Sequence, residues 1–478
     1  MLTAFTSCRR MMRSNTMPET NTVIPLHQDI QESTATLAHT FDHAYDEPRR
    51  FKVYTARQLD KIEPLQRLDD ETRFAMDVVA NVLPFRVNEY VINELINWDN
   101  VPNDPIYQLT FPQKGMLAPE HFDKVADAMR GGDKTAIKTA IAEVREALNP
   151  HPAGQMEHNI PEVDGEKIEG IQHKYNETVL FFPSQGQVCH SYCTFCFRWA
   201  QFIGDNDLKI ATKEAGQLKK YIQAHPEISD VLITGGDPLV MKTKNLRAHI
   251  EPLLELEQIR TIRIGSKALT FWPQRVVSDA DAKDLLHLFE EVIASGKHLA
   301  LMAHYNHWQE LQTNIAREAV KRVRATGAVI RAQGPLLAHI NDNADDWARL
   351  WQTQVELGII PYYMFVERDT GARHYFEVPL AKAWNIYRDA MKQVSGIART
   401  ARGPSMSSHP GKVEIQGVTE INGEKVFALR FIQGRNHDWV QRPFFAKYNE
   451  EATWLNHLEP AFGEEKFFFE DELAEMES

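Results

Sequence analysis

The 478-residue chain has a formal charge of −13, with 43% apolar and 25% charged residues. An acidic excess of that size excludes nucleic acid as the main partner, because phosphate binding needs clustered Lys and Arg. The absence of any apolar run near about 18 residues excludes a membrane-spanning helix, and four cysteines are too few for a disulfide-stapled secreted protein.

The expectation is therefore a soluble, cytoplasmic globular protein, long enough for more than one domain. Residues 1–50 lack sustained periodicity and read as a disordered or extended tail. The opening, MLTAFTSCRRMMRSNTMPET, is Arg-rich and acid-poor as transit peptides are, yet a plain tail is the favoured reading. Met12 and Met17 offer alternative starts.

Residues 51–160 read as an N-terminal helical region. Apolar residues recur at helical spacing in FAMDVVANVL and IAEVREAL, with breaks at Gly131-Gly132 and at Pro150 to Gly154.

From 161 to 400 short apolar strands alternate with amphipathic helices. The strands are TVLFF (178–182), DVLIT (230–234), TIRIG (261–265), LALMA (299–303), AVIRA (328–332) and IPYYMF (360–365). One helix starts at a Ser278 N-cap and buries Leu285, Leu288, Phe289 and Val292. Helices stop at Gly296, Gly327 and Gly358, 31 residues apart, at glycines suited to a left-handed C-cap. The predicted fold is α/β: six βα units curled into a partial barrel, functional loops at the strand C-termini.

Residues 401–478 hold Lys412 on a Gly-Pro loop, a β-hairpin centred on Asn422-Gly423, and the acidic tail EEKFFFEDELAEMES. That tail suits either packing or partner binding.

Cys189, Cys193 and Cys196 fall within eight residues, spaced C-x3-C-x2-C, and the only other cysteine is Cys8. Thiolates are soft ligands that select iron–sulfur clusters or zinc. Three on a short loop can hold a four-iron cluster and leave one iron open for chemistry. Gly235-Gly236-Asp237 ends an apolar strand about forty residues later. Glycines there permit close backbone approach to a ligand.

The cysteine spacing followed by ITGGDPL resembles the radical S-adenosylmethionine (SAM) enzymes, and within them the lysine 2,3-aminomutase family. Residues 165 to 415 carry the resemblance. HKY (His173 to Tyr175), the cysteine loop ending in Phe197-Arg198, GGD, RIGSK (263–267), Pro273-Gln274-Arg275 and HYNH (304–307) come in the family's order. Gln333, Asn341-Asp342, PYY (361–363) and Pro410-Gly411-Lys412 complete the series.

The resemblance implies a radical-SAM-type barrel and an α-to-β shift of an amino group on a free amino acid. It implies a [4Fe–4S] cluster on the three cysteines and SAM near Gly235, Gly236, Asp237, His304, Asn306 and Gln333. Pyridoxal phosphate (PLP) is implied on Lys412, with Tyr175 near its ring and Arg198 on the substrate carboxylate. An electron donor such as flavodoxin or ferredoxin and a homo-oligomer follow from the same resemblance.

This chain departs from the pattern in three places. Lys174 replaces an arginine, and Ser407-Ser408-His409-Pro410-Gly411 replaces the glycine run before the lysine. The two aspartates that hold a lysine substrate's distant ammonium align with Arg368 and Ser405. A pocket with Arg368 repels an ammonium and suits an acidic substrate such as glutamate; Asp369, one residue on, restores an acid if it points inward. Two other readings stay open. One is a radical SAM enzyme without PLP, or acting on a protein-bound lysine, which the altered loop favours. The other is a non-enzymatic iron–sulfur or zinc module with His190 as fourth ligand.

Overall fold

The computed structural model describes residue 41 and residues 43–150, 152, 158–163, 166–204, 210–212 and 215–477. The predicted tail up to residue 40, with Cys8, lies outside the described residues, as do His151, Ala153 and Gly154 of the second predicted break.

Ahead of the main sheet the helices Asp70–Val82, Pro119–Gly131 and Lys134–Ala147 occupy the stretches with helical periodicity. Asp69 caps the first, its carboxylate accepting the Thr72 N–H at 2.7 Å. That helix buries Ala75, Met76, Val78, Val79 and Val82 and stops at Leu83, turned to extended backbone before Pro84. Gly132, at φ 74°, ends the second helix, and Asp133 caps the third through the Thr135 N–H.

One sheet of eleven strands organises the rest, in unbroken chain order from one edge to the other. Its strands are β1 (Ile171–Tyr175), β2 (Thr178–Phe181), β3 (Asp230–Ile233), β4 (Thr261–Ser266), β5 (His298–His304), β6 (Val329–Leu336), β7 (Ile360–Val366), β8 (Arg402–Ser407), β9 (Gly411–Ile421), β10 (Glu424–Gly434) and β11 (Pro443–Lys447). From β2 to β8 every neighbouring pair is parallel. β1 and β9 to β11 are antiparallel to their neighbours. The molecule is therefore mixed α/β, built on one large sheet.

The six predicted strands are β2 to β7, each within a few residues of its expected ends. Helices return after each, from Ala215–Ala224 to Leu380–Gln393. Gly296, Gly327 and Gly358 stand just past helix ends at φ 83°, 87° and 72°, values that cost a Cβ-bearing residue strain. Ser278 is not the predicted N-cap. It ends the short helix Gln274–Val277, and the next helix, Ala282–Ala294, starts from Asp281. An intervening turn at 279–281 displaces the start by three residues, while the predicted apolar face of Leu285, Leu288, Phe289 and Val292 is buried.

β8 escaped the sequence reading because RGPSMS carries Gly, Pro and Ser, residues depleted from strands. Gly403 is needed there: a Cβ on it would stand 2.3 Å from the Met364 carbonyl oxygen. The hairpin turns at Asn422 and Gly423, both with positive φ as a two-residue primed turn requires. It is no separate segment. Ser405 pairs with Glu414 and joins it to the parallel strands, and β11 extends the sheet further. The tail aromatics Phe467 and Phe469 are buried against Phe444 and Trp439, so they pack rather than await a partner.

Among the described residues no helix is long and apolar enough to cross a membrane. A single apolar core links the N-terminal helices to the parallel strands, and a second lies under β9 to β11.

Candidate active site

At the C-terminal ends of the parallel strands lies a cavity of about 330 Å³. Every strand from β2 to β9 contributes to its wall, from Leu180 through Leu232, Gly265, His304, Gln333 and Phe365 to Ser407 and Lys412. Strand C-termini are where parallel sheets place their ligand sites, because the loops leaving them face one crevice.

All three cysteines of the loop after β2 line this cavity as free thiols. The loop is fastened by backbone bonds to the N-terminal region: Tyr192 N–H donates to the Arg86 carbonyl at 2.8 Å and Thr194 N–H to the Leu109 carbonyl at 2.9 Å. Burial pushes the Cys193 thiol up to about 12 and Cys196 to about 11, and drives Cys189 well above its ordinary value. Three half-buried soft donors that resist bare ionisation suit a bound metal group, whose charge supplies what solvent cannot. His190 lines the same cavity, edge-on to Phe51, and burial lowers it to about 3, a neutral imidazole.

The glycines of the turn after β3 stand against the cysteine loop. A Cβ on Gly236 would lie 2.5 Å from the Val188 backbone nitrogen, next to Cys189, and one on Gly235 would lie 2.1 Å from Gln187 Nε2. Asp237 accepts from the Ser266 hydroxyl at 2.8 Å, the Lys267 N–H at 2.9 Å and the Leu239 N–H at 2.9 Å. Burial nevertheless raises it to about 6. Its carboxylate thus braces β3 to β4.

His304 and Gln333 line the cavity side by side as register partners on β5 and β6. His304 stacks on Phe195, its Nδ1 without a partner, and burial lowers it to about 3. Asn306 does not reach the wall. It is fully buried, and its Oδ1 accepts from Lys267 Nζ at 2.9 Å. Lys267 is also paired with buried Glu310 at 2.6 Å, so this motif lysine is held in the frame.

Arg198 and Arg368 line the cavity together, both guanidinium carbons 5.2 Å from the Phe197 ring centroid. Arg198 Nη1 and Arg368 Nε are buried without hydrogen-bond partners. Burial lowers Arg198 to about 10 and depresses Arg368 as well. Asp369 is off the wall: Arg368 Nε lies 3.9 Å from its Oδ1, and its backbone carbonyl accepts from Asn149. Ser405 is off the wall too, fully buried on β8 with its hydroxyl donating to the Met364 carbonyl at 3.4 Å. Ser407, two residues on, takes the cavity position. Glu367 was not anticipated. It lines the cavity beside Arg368, and burial raises its carboxyl well above the ordinary range.

Lys412, at the start of β9, lines the same cavity. Its Nζ stands 4.2 Å from the Tyr363 ring centroid and donates to Gln433 Oε1 at 3.2 Å. Burial, with Arg263 and Arg402 nearby, lowers the amine to about 7. An amine that sheds its proton near neutrality fits the nucleophile a PLP carbonyl needs. Tyr175, at the end of β1, is not on the wall. Lys174 Nζ lies 5.5 Å from its ring and donates to the Ser408 carbonyl at 2.6 Å, pinning the loop that leads to Lys412.

No family model matches the chain. A putative L-lysine 2,3-aminomutase of Aquifex aeolicus is 33% identical over 392 residues, 82% of this chain and 92% of that protein. An L-lysine 2,3-aminomutase of Acetoanaerobium sticklandii is 29% identical over 349 residues, 73% of this chain and 72% of that one. Among solved structures, Streptococcus suis SuiB bound to precursor peptide SuiA aligns at 14% identity and a TM-score of 0.34, covering 54% of this chain and 51% of that one.

Proposed function

The chain belongs to the L-lysine 2,3-aminomutase family of radical SAM enzymes, and from that premise we propose that it is a PLP-dependent 2,3-aminomutase of a free, acidic amino acid. The observation that carries the reading is that the three clustered cysteines and Lys412 line one cavity. In this reading Cys189, Cys193 and Cys196 hold a [4Fe–4S] cluster. Gly235, Gly236, His304 and Gln333 border SAM, and Lys412 holds PLP. When bound, these groups supply the radical and electron-delocalising chemistry of an α-to-β amino shift.

The protein's share is positioning and charge. Arg198 receives the α-carboxylate, as two planar partners suit each other. Arg368 faces the side chain. At about 4 Å and an effective dielectric near 20, it repels an ammonium and attracts a carboxylate by about 4 kcal/mol before desolvation. Glu367, whose carboxyl burial raises well above its ordinary range, can donate a hydrogen bond to a substrate carboxylate when protonated. Lys412 enters as a free amine near neutral pH. Apolar walls from Phe195, Phe271 and Phe365 exclude water.

The same reading takes β2 to β7 with their helices as a partial (β/α)6 barrel between an N-terminal helical region and the C-terminal strands. It carries with it a small electron donor of the flavodoxin or ferredoxin class, a homo-oligomer and a cytoplasmic location. The deciding experiment is anaerobic incubation with SAM, PLP, reductant and a mixture of amino acids, followed by a search for β-amino acids. Formation of β-glutamate supports the reading. Efficient β-lysine would overturn the substrate assignment, and absence of any β-amino acid would overturn the reaction.

A further inference from the structure

On the loop that leads to Lys412, three metal-ligating side chains from distant parts of the chain converge. His158 precedes β1, His409 stands three residues before Lys412, and Glu477 follows the last helix, Glu470–Met476. One nitrogen or oxygen from each lies within 4.8 Å of the other two. The imidazole centroids are 5.2 Å apart at an interplanar angle of 61°, and His409 Nε2 is in direct contact with Glu477 Oε1.

Arg435 holds this arrangement from behind. Its Nε donates to the His409 carbonyl at 3.0 Å and its Nη1 to the His158 carbonyl at 3.3 Å. Its Nη2 donates to Asn159 Oδ1 at 2.7 Å. One guanidinium thus fixes the main chain of both histidines. Nη2 also approaches His409 Nδ1 at 3.5 Å, the outer edge of a hydrogen bond. The side chains of His409 and Glu477 are 28% and 29% exposed, which leaves an ion a path from solvent. None of the three ligands touches the cavity, and nothing in the proposed reaction uses them.

Two imidazoles and one carboxylate form a donor set that zinc-class divalent ions take, with water as the usual fourth ligand. We propose that His158, His409 and Glu477 bind one divalent transition-metal ion of the Zn²⁺ class, tying the C-terminal helix to the loop that presents Lys412. The Glu477 carboxylate oxygen supplies one donor, whereas the nearby Arg435 guanidinium opposes the ion's charge, so the site is weaker than a buried zinc finger.

The test uses full-length protein with its iron in place, dialysed anaerobically against micromolar zinc chloride and counted by mass spectrometry of the metals. One zinc per chain is expected in addition to iron. Substitutions H158A and E477Q, at exposed positions that leave the fold intact, should each weaken binding about tenfold or more. A triple Cys189, Cys193, Cys196→Ala variant should keep its zinc, which separates this site from metal on the cysteine loop. Absence of zinc from the unmodified protein, or zinc lost with the cysteines and indifferent to His158 and Glu477, would overturn the proposal. Neither outcome depends on the aminomutase reading.

Discussion

Lys412 Nζ stands 4.2 Å from the centroid of the Tyr363 ring. That ring, the Phe365 ring and Gln433 surround a half-buried amine whose other neighbours, Arg263 and Arg402, share its charge. The site stores stability cost at the position its proposed chemistry needs, since a well-paired ammonium would make a poor nucleophile.

Replacing this amine separates function from stability. Lys412→Met keeps the volume and removes the burial penalty, so it should raise stability by ~2 kcal/mol at neutral pH while abolishing PLP attachment. The sign follows from the shift. With a folded value of about 7 below an unfolded value of about 10.4, the unfolded chain binds more protons between them, so the unmodified protein gains stability as pH rises through that window. Thermal melting at neutral and alkaline pH, with borohydride reduction and peptide mapping, reads both effects. A pyridoxyl label elsewhere than Lys412 removes this residue from the mechanism.

The three thiols should act as one ligand set. Reconstituted protein is expected to hold about four irons per chain, and Cys193→Ala should lose the oxygen-labile cluster and all turnover. Iron analysis and anaerobic absorbance check it, and full iron retention in the variant would sink the assignment.

Charge at the side-chain end of the cavity should set the substrate. Arg368→Asp should shift the ratio of kcat/KM for glutamate over lysine toward lysine by at least about a hundredfold, a fraction of the roughly 4 kcal/mol single-charge term. Side-by-side turnover of the two amino acids measures it. An unchanged ratio would show that Arg368 does not face the substrate.

Glu367 gives the pH dependence. Burial raises its carboxyl, so it stays protonated above the ordinary carboxylate range and ionises only as pH climbs further. The new negative charge beside Arg368 should then raise KM for an acidic substrate on the alkaline side. Glu367→Gln, permanently neutral, should lack that limb. The same alkaline rise in both proteins would place its origin elsewhere.

Gly236→Ala tests the seam between the turn after β3 and the cysteine loop. Its Cβ would stand 2.5 Å from the Val188 nitrogen, so overpacking should cost about 1–3 kcal/mol. The displacement falls on the residue before Cys189, and cluster yield should drop along with the melting temperature. A variant with unchanged iron content would show that the loop gives without loss.

Much of this molecule is local and therefore readable from the chain. A three-cysteine chelate is written within eight residues, whatever surrounds it. The six parallel strands announce themselves by apolar runs, and the helix ends by glycines whose left-handed backbone other residues resist.

Side-chain direction was decided only by the tertiary structure. Arg368 rather than Asp369, Ser407 rather than Ser405, and Gln333 rather than Asn306 reach the cavity wall. Each contrast turns on a step of one or two residues, or on a side chain claimed by a neighbour, as Asn306 is by Lys267. Near strand ends a one-residue step reverses the face a side chain presents, and register shifts interrupt the pairing of β6 with β7 and of β7 with β8. β8 itself exists because Gly403 can lie against the Met364 carbonyl, a contact invisible in RGPSMS. The meeting of His158, His409 and Glu477 is of the same kind: three points spread over more than three hundred residues become neighbours only when the sheet and the C-terminal helix close around them.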